Sequence, residues 1–240
     1  MKKISKNIIG SGFIARSFLN QDKYLSLNKI CIYASGVSNS SSLNKTQYKK
    51  EIIKITSLKN KLDKHTTIIY FSTCSIYDPY RKKKIYNIHK ILMEKIIKKE
   101  FKNFIIIRLP EVVGKSVNKF TLTNFIYNKI TKSIKFQLWS NALRNLIDIK
   151  DVVHIVSKII KIKEFKNCTL NIFNPNMYNV LEIVRCFEKI LKKKGNYTLV
   201  SSQSSKWKIN YSVINNKRIS FNYRFKKNYL HKILNKYYAK

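Results

Sequence analysis

Several residue types are scarce in this chain, and each scarcity removes a class of explanation. Acidic residues number 12 against 49 lysines and arginines, for a formal net charge of +37. Cys31, Cys74, Cys168 and Cys186 are the only cysteines, far apart and without C-x-x-C spacing. Reduced thiols are therefore expected, and neither a disulfide framework nor a metal site. Alanine is confined to Ala15, Ala34, Ala142 and Ala239, and there are 5 glycines and 3 prolines, too few for a Gly/Pro-rich linker. No apolar run approaches the roughly 20 residues that span a bilayer. The start, Met1-Lys2-Lys3-Ile4, lacks the apolar region and cleavage site of a signal peptide. No membrane insertion and a cytoplasmic location are the expectations.

What abounds is Lys, Ile, Asn, Tyr and Phe. An AT-rich coding sequence produces this mixture, with lysine replacing arginine and neutral surface residues throughout. The lysines are spread along the chain rather than gathered in one arm. The charge therefore reads as a solvated surface and not as a specific nucleic-acid site, although salt-sensitive nonspecific binding in vitro follows under either reading. The 240 residues suffice for one large domain, or one domain with a small lobe, and no internal repeat is visible.

Tyr86-Asn87-Ile88-His89-Lys90 places a phenol and an ammonium one helical turn apart on one face. An ammonium that close favours the phenolate, bringing a tyrosine of ordinary pKa about 10 nearer to acid–base work at neutrality. Such a pair arises often by chance among so many lysines, so its weight depends on the rest of the chain. Ile4 to Ile9 reads as a strand leading into Gly10-Ser11-Gly12-Phe13-Ile14-Ala15 and the helical Arg16 to Leu19. This is G-x-G-x-x-A between strand and helix: the first glycine for a tight turn, the second for close approach of a pyrophosphate, the small third residue for packing. Lys29 to Ala34 reads as a second buried strand ending in Ala34-Ser35-Gly36. Tyr48, Ile52, Ile55, Leu58 and Leu62 mark an amphipathic helix. Thr67 to Phe71 is a third strand, opening into Ser72-Thr73-Cys74-Ser75. A helix follows from about Tyr86 to Glu100, with Ile88, Ile91, Leu92 and Ile96 as its expected core face. Phe104 to Leu109 is a fourth strand, ended by Pro110. Further on, Asp151 is the expected cap of a helix through Val152, Val156 and Ile160. Leu170 to Ile172 is a short strand. Asn179 with Glu182 resembles a capping box opening a helix that ends at Gly195. The basic, aromatic segment Lys206 to Lys240 carries a closing helix through Tyr229, Ile233 and Tyr237.

In this order the motifs resemble the extended short-chain dehydrogenase/reductases, of the NAD-dependent epimerase/dehydratase kind that acts on nucleotide sugars. Gly10 to Ile14, Ile30 to Ser35, Ser72 to Tyr77, Tyr86-x-x-x-Lys90, Ile107 to Pro110 with Val113-Gly114, Arg144 to Asp151, and Leu170 to Ile172 with Val180 to Val184 carry the resemblance over nearly the whole chain. Ala34 to Ser40 and Tyr86-x-x-His89-Lys90 also resemble a subgroup associated with surface-polysaccharide gene clusters. The resemblance implies an α/β fold: a Rossmann-like parallel sheet with flanking helices, reduced in strand number, plus a small C-terminal substrate lobe. It implies one NAD(P)-binding unit over residues 1–240, with substrate elements mainly in 115–150 and 168–240.

The resemblance also implies roles. Tyr86 would be the general acid/base, Lys90 would lower its pKa and hold the nicotinamide ribose, and Thr73 would hydrogen-bond the reacting oxygen. Gly10, Ser11, Gly12, Phe13, Ile14, Ala34, Ser35, Gly36, Ser72, Leu109, Pro110 and Val112 would line NAD or NADP. Ser75, Asn118, Trp139 and Arg144 would meet a nucleotide-sugar substrate, Arg144 as a phosphate clamp; packing alone explains Trp139 equally well. His89 reads evenly as a site residue or a helix-surface histidine. A homodimer stays open. The chain also departs from the family. Only Asn20 to Asn28 separates the glycine motif from the second strand, where members carry two further strands and the residue that reads the adenosine ribose. NAD versus NADP is therefore open, with Arg16 favouring a 2′-phosphate. Cys74 and Ser75 replace the Asp-Glu pair of the sugar dehydratases, which argues against dehydration by that route. A ketosugar reductase or epimerase, a non-catalytic member of the fold, and a basic nucleic-acid-binding protein are the three readings.

Overall fold

A computed structural model describes residues 5–81, 83–162, 164–201, 223 and 225–239; residues 206–222 of the basic C-terminal segment lie outside them. Among the described residues the main sheet has five parallel strands: β1 (Ile8–Ile9), β2 (Ile30–Tyr33), β3 (Thr67–Thr73), β4 (Phe104–Leu109), and a fifth strand at Cys168–Asn171, in that spatial order. Its strands read as almost unbroken Ile, Tyr and Phe because both faces are covered. Alternation divides them cleanly. Ile8, Ile32, Ile69, Phe71, Ile105 and Ile107 face one layer, and Ile9, Tyr33, Ile68, Tyr70 and Ile106 face the other.

The helices fill those layers. α1 (Phe13–Ser17) and α2 (Asp22–Leu27) pack on the first face through Ala15, Phe18 and Leu25. α3 (Lys45–Lys59) and α4 (Ile85–Glu100) pack on the second, through Ile55, Leu58, Met93 and Ile97. The strands advance in one direction across the sheet, yet the β1–β2 connection covers one face and the next two cover the other. The first crossover therefore has the opposite hand to the two that follow, in a class of connection that is right-handed in about 98% of cases. In the usual doubly wound order 3-2-1-4 the first strand is internal and the chain turns back beside it; among the described residues β1 is the sheet edge and α1–α2 lead straight to β2.

After β4 come β5 (Glu111–Val113), α5 (Leu122–Thr131), β6 (Phe136–Trp139), β7 (Leu143–Arg144), β8 (Leu146–Asp148) and α6 (Ile149–Ile159). The fifth strand of the main sheet is β9, followed by β10 (Tyr178–Asn179), α7 (Val180–Leu191), β11 (Tyr197–Val200) and α8 (Tyr229–Tyr238). Strand pairs β5–β8, β6–β11 and β7–β10 build the second half. α5, α7 and α8 pack there around Ile126, Phe187, Ile233 and Leu234.

Several expectations need correction. α6 starts at Ile149, capped by Asp148, whose carboxylate accepts from the Lys150 amide at 2.8 Å. Asp151 instead accepts from the Tyr223 and Tyr229 hydroxyls, and with Asp148 accepting from Lys236 and Tyr237 the end of the chain is latched to α6. α7 stops at Leu191, with Lys192 left-handed, short of Gly195. In α4 the buried face is Asn87, Lys90, Met93, Glu94 and Ile97, whereas Ile88 is 55% exposed and Leu92 43%. The helix turns these polar residues inward because each finds a partner elsewhere: Asn87 bonds Ser75 and Arg81, Lys90 bonds Glu51 and Tyr70, and Glu94 bonds Ser72 and Arg108.

Gly10 shows why the first turn needs glycine. Its φ is +130°, and a Cβ there would lie 2.3 Å from the Ala34 carbonyl oxygen. Gly10→Ala is expected to cost ~2 kcal/mol or more and to lower Tm by roughly 5 °C or more, measured by thermal denaturation.

Candidate active site

Parallel strands present all their carboxyl ends on one side, so the segments after β1, β2, β3 and β4 meet there. They line a cavity of about 1430 Å³, large beside a typical single-ligand pocket of about 300–1,000 Å³. Ser11 to Ile14 come from the first turn, Ala34 to Gly36 from the second, Ser72, Thr73 and Ser75 from the third, Leu109, Pro110 and Val112 from the fourth. Tyr86 and Lys90 enter from α4, and Asn118 and Arg144 from the second half. The glycine motif, the Tyr–Lys pair and Thr73 thus share one compartment. Gly10 lies beneath it, against the Ala34 carbonyl. Trp139 is outside: β6 alternates, Phe136 and Leu138 point into the core, and Trp139 is 51% exposed on the opposite side.

Gly12 differs from Gly10 in an informative way. Its φ of −80° suits any residue. A Cβ built there meets nothing within 4 Å, so it would project into open space at the cavity wall. Neither backbone geometry nor packing calls for a glycine at position 12.

The β3 end is held by hydrogen bonds. The Ser75 amide donates to Thr73 Oγ1 at 3.1 Å, and the two hydroxyls lie 2.9 Å apart. Ser75 Oγ donates to Asn87 Oδ1 at 2.6 Å, and Asn87 Nδ2 returns bonds to the Ser75 and Arg81 carbonyls at 3.0 and 2.7 Å. Asn87, next to Tyr86 on α4, therefore fixes both the Thr73 turn and the loop carrying Arg81. Ser72, although it reaches the cavity wall, donates to Glu94 at 2.5 Å, away from Thr73. Glu94 in turn holds Arg108 through two bonds of 2.9 and 2.6 Å, and Arg108 bonds the Tyr77 hydroxyl at 2.6 Å.

Lys90 has a different partner from the one expected. Its Nζ lies 3.4 Å from Glu51 Oε1, 2.9 Å from the Tyr70 hydroxyl and 3.4 Å from the Phe71 carbonyl oxygen, and 6.0 Å from the Tyr86 ring centre. Burial opposes ionisation of Glu51, but Lys90, His89 and the Val37 amide hold its pKa down at about 2. Tyr86 moves the other way. Burial first, then the Glu51 and Glu111 carboxylates, push its phenol well above the ordinary range, with Arg81 pulling weakly down. The expected lowering of Tyr86 by Lys90 is corrected on this point: burial dominates, and the Glu51 carboxylate that pairs with Lys90 raises the phenol further. His89 is neither on the surface nor in the cavity: it is buried, 2.9 Å from Glu51 Oε2 and tilted against the Tyr48 ring.

The cavity wall is cationic. Arg16, Arg81, Lys90, Lys115, Arg144, Lys150 and Lys236 line it, with Glu111 the one carboxylate among the described lining residues. Arg144 is 8% exposed, donates from Nη1 to its neighbour's carbonyl at 2.7 Å, and makes no ion pair among the described residues. Burial and then the nearby Arg81 lower its pKa. Arg81, Glu51 and Asn87 escaped the reading of the sequence. A usable signal existed for two of them: Glu51 is a rare acid on the apolar stripe of its helix, and Arg81 is one of few guanidiniums in a lysine-rich chain. Among the described residues, no group of His, Cys, Asp and Glu could hold a metal ion, and no helix is long and apolar enough to cross a membrane.

The layered parallel sheet, the glycine turn and the tyrosine–lysine pair define a Rossmann-like α/β protein with a ligand cleft at the strand ends. The family model for the NAD dependent epimerase/dehydratase family matches residues 30–179, more than half of the chain, and the chain belongs to that family. No curated protein shows significant sequence similarity to it. Among solved structures it is similar to the UDP-glucuronic acid 4-epimerase from Bacillus cereus in complex with NAD, with TM-score 0.70, 15% identity, and coverage of 97% of this chain and 85% of that one. It is also similar to the UDP-N-acetylglucosamine 4-epimerase from Bacillus cereus, with TM-score 0.67, 16% identity and coverage of 95% and 92%. RMD from Pseudomonas aeruginosa complexed with NADPH gives TM-score 0.68, 10% identity and coverage of 95% and 87%.

Proposed function

We propose that the protein is an NAD(P)-dependent oxidoreductase or epimerase acting on a nucleotide-activated sugar, in polysaccharide or O-antigen biosynthesis in the cytoplasm. The observation that carries this reading is the sharing of one cavity by Gly12, Thr73, Tyr86, Lys90 and Arg144. Residues Ser11 to Ile14 and Ala34 to Gly36 would hold the dinucleotide, and the open space beside Gly12 fits its pyrophosphate. Bound there, the nicotinamide supplies the hydride acceptor or donor. The protein's own groups position the sugar and move its proton. Tyr86 gives a proton to, or takes one from, the sugar oxygen, and Thr73 orients that oxygen by a hydrogen bond. Arg144 takes a substrate phosphate, as a buried guanidinium without an ion pair among the described residues is suited to do.

The test is titration of NADH and NADPH into the protein, followed by incubation with UDP-glucose, UDP-glucuronic acid, UDP-N-acetylglucosamine and their 4-keto forms. Saturable cofactor binding and conversion of at least one sugar are expected. Absence of cofactor binding would overturn the reading. Cofactor binding without any turnover would favour a non-catalytic binding protein. A companion prediction concerns Arg144→Lys. An ammonium cannot reproduce the guanidinium fork. Affinity for the nucleotide sugar should fall roughly 10-fold with NAD(P)H affinity unchanged, as read by calorimetry.

A further inference from the structure

Glu51 is not one of the cavity-lining residues, yet it touches the parts that form the cavity floor. It sits on the inward face of α3, 3% exposed. Its carboxylate accepts from the Val37 amide at 3.0 Å, the Tyr70 hydroxyl at 3.0 Å, His89 Nε2 at 2.9 Å and Lys90 Nζ at 3.4 Å. Those donors come from the loop after β2, from β3 and from α4. The loop approaches so closely that a Cβ on Gly36 would lie 2.6 Å from Lys90 Nζ and 2.7 Å from Glu51 Oε1. Glycine at position 36 thus gives room to the ion pair. Desolvating a carboxylate this fully is costly unless its oxygens are satisfied, and here both are.

We propose that Glu51 is a positioning residue: its carboxylate takes the Lys90 ammonium and ties the loop after β2 to α4, fixing Lys90 beside Tyr86 while cancelling its charge. This rests on the reading of Tyr86 and Lys90 as the reacting pair. Around Glu51 stand Tyr33 on β2, Tyr70 on β3, Tyr48 and Lys54 on α3, and His89 and Lys90 on α4. Around Tyr86 stand Glu51, Glu111, Tyr48 and Arg81. Of the two carboxylates, Glu51 is the stronger influence on the phenol. Burial first, and the Glu51 carboxylate after it, keep the phenol protonated at neutral pH and set to donate, the role of an acid in carbonyl reduction.

Removing the negative charge should stabilise the phenolate, so Tyr86 in Glu51→Gln should ionise at lower pH, by ~1 unit or more. The readout is the carbon-13 resonance of labelled tyrosine, assigned with Tyr86→Phe, followed against pH without substrate. Glu51→Asp keeps the charge on a shorter arm. There the phenol should titrate as in wild type, while NAD(P)H affinity falls several-fold because the β2 loop is no longer tied at the same height. The proposal is overturned if Tyr86 titrates identically in wild type and Glu51→Gln, or if Glu51→Asp shifts it as Gln does. Should Glu51→Gln not fold, Glu51→Asp still decides: Tyr86 must titrate as in wild type while NAD(P)H affinity falls several-fold, and a shifted phenol or an unchanged affinity overturns the proposal. Because this measurement needs no turnover, a protein inactive on every sugar could still pass it, which separates its failure from that of the functional reading.

Discussion

Tyr86→Phe is expected to lower turnover of the nucleotide sugar by at least ~10²-fold while leaving NAD(P)H affinity within a few-fold of wild type. Deleting one phenolic oxygen changes neither the packing of the ring nor the helix that carries it. The neighbouring framework does not depend on the Tyr86 hydroxyl. Asn87 bonds to Ser75 and Arg81, and Lys90 bonds to Tyr70 and Glu51. A large loss of turnover would therefore report proton transfer and not a collapsed site. The measurement is single-turnover kinetics beside a cofactor titration on the same preparation. Unchanged turnover would remove Tyr86 from the reaction. Equal losses of turnover and cofactor affinity would assign the hydroxyl to binding. The raised phenol adds a sign: the protonated form dominates at neutral pH, so a reaction that needs the phenolate should quicken toward alkaline pH, and one that needs the acid should not.

The parts of the fold that could be read from the sequence are those governed by local rules. β4 matches its expected span, Phe104–Leu109, because a buried parallel strand is a continuous apolar run closed by Pro110. Gly10 was legible because a glycine before a helix has few other uses, and the α3 stripe because Tyr48, Ile55 and Leu58 recur at helical spacing. What misled was polarity placed inside. Of the expected core face of α4, Ile88 and Leu92 are exposed and Ile91 and Ile96 only partly buried, Ile96 against the core, whereas the helix buries Asn87, Lys90 and Glu94, whose partners lie on distant segments. The same holds for Asp148 and Asp151. A local rule picks one as a cap, and only contact with Tyr229, Lys236 and Tyr237 from the far end of the chain decides which. Trp139 shows the limit of resemblance. Its β-strand parity, set by pairing with Tyr197–Val200, turns it away from the cavity.

The strand order raises a physical question, because a cleft in a doubly wound sheet usually lies where the strand order reverses. Here the order runs β1, β2, β3, β4 without reversal. What opens a crevice, however, is the divergence of neighbouring helices to opposite faces of the sheet, and that has survived. α1 leaves β1 toward the first face and α3 leaves β2 toward the second, so the turns at Gly12 and at Ser35 still part between them. The unusual hand of the first crossover is thus the topological counterpart of a retained cleft. A shortened chain that instead obeyed the handedness rule would have put α1 beside α3 and closed the space.

Gly12→Asp tests that cleft most directly, and NAD(P)H binding is expected to fall below detection, a loss of at least ~10²-fold. The backbone at position 12 accepts any residue, and the first carbon of the new side chain meets no protein atom within 4 Å. Fold and Tm should therefore stay close to wild type, in contrast to Gly10→Ala. The aspartate would nevertheless fill the space a pyrophosphate needs and set a negative charge against it; unit charges about 4 Å apart at an effective dielectric of 20 interact by ~4 kcal/mol. Gly12→Ala adds bulk without charge and should weaken binding by a smaller factor, which separates the steric part from the electrostatic one. Fluorescence titration of both variants with NADH and NADPH, alongside thermal denaturation, gives the comparison. Undiminished binding by a folded Gly12→Asp would place the dinucleotide elsewhere and leave the glycine turn without a ligand.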